Sequence, residues 1–217
     1  MASAIAQPRR LSRPEARIML QPLAAPSVLG YFALGSALII YGTWFAAGWG
    51  TEKDPSAFFP FLLFFGGFGQ LAAALWSYRA RSAAAAALHG SWGAFWLGLA
   101  LIYLLVTTHT VTAPARGLEW PSLGQWMIYM AVISWTTAFA ALARSPVGFL
   151  AQATLGSGAA LAAAGLLVPS PAVQHVAGWV LVAAGVIGFY AGAVLMYGGA
   201  GEPVEYAHGD PGVKVGQ

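Results

Sequence analysis

Val173–Tyr197 reads V-Q-H-V-A-G-W-V-L-V-A-A-G-V-I-G-F-Y-A-G-A-V-L-M-Y, 25 residues without an Asp, Glu, Lys or Arg. A bilayer core takes about 20 helical residues to cross. A charge at its centre costs about 2.5–3.5 kcal/mol on the insertion scale. Five more windows are equally clean: Val28–Trp49 with 22 residues, Ala57–Tyr78 with 22, Ala84–Val106 with 23, Gln125–Ala143 with 19 and Val147–Val168 with 22. All 17 charged side chains fall outside these windows, a segregation that random placement would not produce. The windows predict six transmembrane helices in an all-α integral membrane protein. A transmembrane barrel would instead show alternating segments of about ten residues.

The rest of the composition agrees. The chain has 217 residues, of which 8% are charged and 59% apolar, and its mean hydropathy is +0.68. Soluble proteins carry about 25% charged residues. A soluble enzyme, a nucleic-acid reader and a disordered chain are all disfavoured. Cysteine is absent, so there is no disulfide framework, thiolate nucleophile or cysteine-based metal site.

Breaks separate the windows. Asp54-Pro55 precedes span two, and Arg79, Arg81 and Ser82 divide spans two and three. Pro114 and Pro121 bracket a longer loop, Arg144-Ser145-Pro146 forms a tight connection, and Pro169-Ser170-Pro171 joins the last two spans. Each proline sits where a helix start or stop accepts it. The chain divides into an N-terminal tail over 1–27, a six-helix domain over 28–198 and a tail over 199–217 that reads as disordered. Arg9, Arg10, Arg13, Arg17, Arg79, Arg81, Arg144 and Lys214 share one side, against Lys53 and Arg116 on the other. The positive-inside rule puts both termini in the cytoplasm. The first 27 residues hold no apolar run of the kind a cleaved signal peptide needs.

No Asp, Glu, Lys or Arg lies inside a span, so the buried charges that couple many pumps are missing. The intramembrane ionisable candidates are His89 and His175, both near span ends, besides tyrosines. No carboxylate pair, metal-ligand cluster or Ser/His/Asp set can be assembled in the membrane. An intramembrane enzyme is therefore unsupported, and no cofactor or metal is implied. A passive or weakly coupled path for a small solute fits better. Gly66, Gly67 and Gly69 crowd span two, and Gly188 and Gly192 form G-x-x-x-G on span six. Such spacing suits close helix packing, within the protomer or between subunits. Gln70 stands near mid-span, where an amide needs a partner; an interhelical hydrogen bond is the expectation. His89, Trp92 and Trp96 at i, i+3 and i+7 share one helical face, either an interfacial aromatic belt with a satisfied histidine or a pore-facing stripe.

Three blocks resemble the acetate uptake transporters, whose bacterial members are the succinate–acetate/proton permeases. Leu23-Ala24-Ala25-Pro26-Ser27-Val28-Leu29-Gly30 is similar to the signature N-P-A-P-L-G-L. Phe64-Phe65-Gly66-Gly67-Phe68-Gly69-Gln70, Tyr78 and Ser91-Trp92-Gly93-Ala94-Phe95-Trp96-Leu97 resemble F-Y-G-G-x-x-Q, a Tyr before basic residues, and S-Y-G-x-F-W. His175-Val176-Ala177-Gly178-Trp179 resembles H-x-A-G-W. The chain departs from the pattern at Ala25 (for Asn), Val28 (for Pro), Phe65 and Trp92 (each for Tyr), and Leu195, where some members are acidic.

The resemblance implies a six-helix protomer assembled as a homohexamer in the cell (inner or plasma) membrane, with one solute path per protomer. It implies a pore constriction at Leu34, Trp92 and Leu155, and signature or path residues Pro26, Leu29, Gly30, Gly66, Gly67, Gln70, Ser91, Phe95 and Trp96. His89 and His175 are candidate pH-sensitive groups, since histidine titrates near neutrality. The implied function is proton-linked transport of acetate and similar short monocarboxylates, with succinate a further substrate. The partners are the small carboxylate, the lipid bilayer and further copies of the chain. The alternatives are a channel for another small solute such as ammonia, or a non-transporting membrane assembly protein.

Overall fold

The computed structural model describes residues 24–47, 54–112 and 120–200, which form six helices. They are α1 (Ser27–Phe45), α2 (Asp54–Arg79), α3 (Ala83–Thr107), α4 (Pro121–Ala141), α5 (Pro146–Leu167) and α6 (Pro171–Ala200). Five are long and apolar enough to cross a membrane; α4, at 21 residues, is long enough but less apolar. Its Gln125, Ser134, Thr136 and Thr137 lower its hydropathy. Of the two tails only residues 24–27 and 199–200 are described; Lys53 and Arg116 lie outside the described residues.

The helix ends follow from local chemistry. Pro121, Pro146 and Pro171 each open a helix, where the missing N–H removes no internal bond. Ser145 caps α5 by accepting from the Gly148 N–H at 3.0 Å. At the end of α2, Arg81 adopts φ 56° and the Ser82 N–H reaches back to the Ser77 carbonyl at 2.9 Å. That is a left-handed closure built without glycine.

Span two is not the uninterrupted α-helix that its clean window predicts. Pro60 lies inside it, and Leu62–Gly69 winds as a π-helix before α-geometry resumes at Gln70. Proline removes a ladder donor, and the glycines lower the resistance to the wider turn. Gln70 corrects the expectation of an interhelical bond: its Nε2 donates to the Gly66 carbonyl of its own helix at 3.0 Å. The amide thus holds an acceptor within the rewound segment.

Contacts set the order of packing. A Cβ at Gly35 would meet the Gly185 carbonyl, and one at Gly42 the Gly178 carbonyl, so α1 and α6 run antiparallel with backbones touching. Gly158 against Leu181 and Gly165 against Gln174 make α5 and α6 antiparallel. Gly124 against Leu166 and Gly156 against Trp135 do the same for α4 and α5. Gly66 abuts Trp96, Gly93 abuts Leu71 and Gly90 abuts Ala74, which aligns α2 and α3 antiparallel. Tyr31 against His89, Tyr41 against Trp96 and Trp44 against Tyr103 run in the same sense along α1 and α3, so the odd-numbered helices α1, α3 and α5 are mutually parallel. Arg79, Arg81 and Arg144, in the α2–α3 and α4–α5 connections, share the end where α1, α3 and α5 begin. Gly188 and Gly192 face Tyr31 and Phe32 of α1, so they pack within the protomer.

Candidate functional site

Leu34, Trp92 and Leu155 stand on the three parallel helices α1, α3 and α5. They are 2%, 0% and 1% exposed and belong to one buried cluster. The Trp92 Nε1–H donates to Ser134 Oγ of α4 at 3.0 Å, and Ser134 donates to the Met130 carbonyl at 2.7 Å. That two-step chain satisfies the indole and holds its plane. Trp92 meets Phe95 at 5.3 Å and Trp96 at 5.9 Å between centroids. Trp96 meets Tyr41 edge-on at 5.7 Å, and Tyr41 stacks on Phe45 at 5.5 Å. Trp44, Phe58 and Tyr103 continue the aromatic contacts toward the end where α1 and α3 finish.

Directly beneath these three residues is a polar layer. Tyr31, His89 and Gln152 each precede a member of the apolar layer by three positions on its own helix. At 1.5 Å per residue the two layers are about 4.5 Å apart. Gln152 Nε2 donates to the Tyr31 hydroxyl at 2.9 Å. The His89 ring meets the Tyr31 ring edge-on at 5.4 Å and lies on the bare backbone of Gly30, where a Cβ would collide with it. All three residues are at least nine-tenths buried. Neither nitrogen of His89 has a hydrogen-bond partner, and neither has Gln152 Oε1. Each unmatched buried group costs about 1–3 kcal/mol, so the arrangement is not explained by stability.

The belt reading of His89, Trp92 and Trp96 is corrected: all three are fully buried, and the histidine is unsatisfied. Further unmatched polar atoms are Tyr41 Oη, Tyr103 Oη, Trp96 Nε1 and Gln70 Oε1. Phe95 is buried beside Trp92, while Ser91 is half-buried. Gly66 and Gly67 are buried against α1 and α3. Pro26 forms the start of α1 without a side-chain cap, and Leu29 is 43% exposed on the outside of that helix, away from the cluster. His175 is exposed at the opposite end from His89, where its Nδ1 pairs with the Ala46 carbonyl at 2.5 Å. A cavity of about 290 Å³ opens between α3 and α4 toward that same end, with Phe95, Leu99, Trp120 and Trp126 in its wall.

Tyr31, Gln152, Tyr41 and Tyr103 were not singled out from the sequence. The three-residue spacing before Leu34, Trp92 and Leu155 was the available signal, but it becomes legible only once α1, α3 and α5 are known to be parallel neighbours of one core. Among the described residues no group of three or more His, Asp or Glu side chains is placed to hold a metal ion.

Comparison with known proteins narrows the reading. The profile of the GPR1/FUN34/yaaH family matches residues 10–201. The chain belongs to this family. A solved structure described as the bacterial acetate channel SatP superposes with a TM-score of 0.74 at 23% identity, covering 82% of this chain and 95% of that one. The likeness extends the family assignment to the six-helix fold. No curated protein matches. This family member is thus a multi-pass membrane protein that buries the two layers described above among its helices.

Proposed function

We propose that the chain moves acetate and similar short monocarboxylic acids across the cell membrane, proton-linked, along a path that crosses the Leu34–Trp92–Leu155 layer. The observation that carries this reading is the composition of the central core. Its walls are Leu, Trp, Phe and Tyr, its polar groups are hydroxyls, amides, indoles and one imidazole, partly unmatched, and no buried Asp, Glu, Lys or Arg is present among the described residues. Stripping a carboxylate of water in such surroundings is prohibitively costly. The neutral acid is far less penalised, and its methyl group suits Leu and Trp. The proton then travels with the substrate, and coupling needs no buried carboxylate.

Family membership and the SatP-like fold support the same substrate class. The homohexamer, the cytoplasmic termini and transport of succinate belong to this proposal as well. The positive-inside rule would put the end bearing Arg79, Arg81 and Arg144, and hence the polar layer, on the cytoplasmic side.

The test is radiolabelled acetate uptake by proteoliposomes with and without an inward proton gradient. Saturable uptake that rises as external pH falls toward the acid's pKa, and that propionate blocks, is the expected result. Uptake that stays flat from about pH 5 to 8, above the ordinary carboxyl pKa near 4, would refute proton-linked passage. Uptake no faster than through empty liposomes would withdraw the acetate assignment and favour another small solute.

A further inference from the structure

We infer that Tyr31, His89 and Gln152 form a hydrogen-bonding station for an undissociated carboxyl group, one helical turn from the apolar constriction. The inference rests on the transport reading and adds the group that recognises the substrate's acid end.

The three residues hold unused hydrogen-bonding capacity. In its neutral form an imidazole carries one N–H donor and one nitrogen acceptor. Both His89 nitrogens are fully enclosed and unmatched. Gln152 spends its amide nitrogen on the Tyr31 hydroxyl and leaves Oε1 unmatched. The phenol, having accepted that bond, keeps a proton to donate. The station therefore offers donors and acceptors together. A neutral carboxylic acid has the complementary pair, an O–H that donates and a C=O that accepts. A carboxylate has acceptors only, so the Gln152 oxygen repels it, and among the described residues no cation is buried there to compensate. The station thus selects the protonated form.

Its placement gives the selection an effect. Leu34, Trp92 and Leu155 lie three residues further along the same three helices. An acid with its carboxyl group among Tyr31, His89 and Gln152 would extend its alkyl end toward that apolar layer. Gly30 contributes by being bare: any Cβ there would collide with the His89 ring.

The test compares wild type with His89→Phe, Gln152→Leu and Tyr31→Phe in proteoliposomes, with initial acetate uptake measured against the concentration of undissociated acid. Val186→Ala, on the exposed face of α6, is the control. The half-saturating concentration is expected to rise about five- to tenfold in His89→Phe and Gln152→Leu, the loss of one good hydrogen bond. Acetamide carries a similar donor–acceptor pair without titrating, so it should compete with acetate in wild type and lose that competition in both variants. Unchanged half-saturation and unchanged acetamide competition in both variants would overturn the station. If either variant elutes as aggregate, Tyr31→Phe, which removes only the hydroxyl, decides the matter by the same two readouts. Absence of acetate uptake in wild type would defeat the transport reading instead. Acetamide titration of tryptophan fluorescence, with Trp92 adjoining the station, then judges the station alone: saturable quenching in wild type and its loss in His89→Phe support it, and no quenching in wild type refutes it.

Discussion

At Trp92 a single hydrogen bond sets the position of the largest side chain in the apolar layer. The Ser134 hydroxyl that accepts from its indole is itself tied to Met130, so the ring has little freedom to swing aside. Trp92→Tyr removes the fused ring and the bond together. The opening widens, and longer acids gain most. Succinate uptake relative to acetate is expected to rise about tenfold, the size of effect that one or two methylenes produce at a tight pocket. Competition between the two labelled acids in the same vesicles measures the ratio, and an unchanged ratio would show that Trp92 does not set substrate length. The sequence identified Trp92 through a motif, but not the Ser134 contact. Serine inside a span is common, and 42 residues separate the pair; only the packing of α3 against α4 brings them together.

The π-wound segment of α2 carries its own prediction. Leu62–Gly69 brings Gly66 against Ala37 of α1 and Trp96 of α3, and an added methyl at Gly66 would lie 3.0 Å from the Ala37 Cβ and 3.2 Å from Trp96 Cγ. Neither neighbour can yield easily, because both are buried. Gly66→Ala is expected to destabilise the protein by about 1–3 kcal/mol. Gly69→Ala, whose nearest contacts are 3.3 Å and 3.4 Å, should cost less than half as much. Thermal unfolding of the two variants in the same detergent distinguishes them, and equal losses would mean that the tight approach at Gly66 is not what the glycine serves. The glycine cluster was visible in the sequence. The change of helical winding was not, since hydropathy alone does not distinguish a π-turn from an α-turn.

At the scale of the whole molecule, α1 and α6 meet backbone against backbone along a seam. A Cβ on Gly178 would come within 2.5 Å of the Gly42 carbonyl oxygen and the Ala46 nitrogen, both backbone atoms that cannot step aside. Gly178→Ala is expected to cost about 3 kcal/mol, through forced separation of the first and last helices. Gly188→Ala, with nothing nearer than 3.8 Å, should be close to neutral. Unfolding temperatures and elution profiles of the two variants test this, and a mild effect at Gly178 would show that the seam is looser than its geometry. The G-x-x-x-G pattern pointed to the right helix, but the critical glycine lies outside it, because contact depends on which face of α6 meets α1.

Segregation of charge along the amino-acid sequence is enough to show a helical membrane protein with six spans, and three blocks of residues tie it to its family. These properties follow from local chemistry: charge is costly in a bilayer core, and proline opens helices at Pro121, Pro146 and Pro171. The tertiary structure alone decided that Tyr31, His89 and Gln152 form one layer beneath Leu34, Trp92 and Leu155. Those six residues come from three separate helices, and their pairing depends on the antiparallel order that places α1, α3 and α5 side by side with a common direction. A histidine without partners is likewise invisible in a sequence, because satisfaction of a polar atom is a property of its neighbours in space.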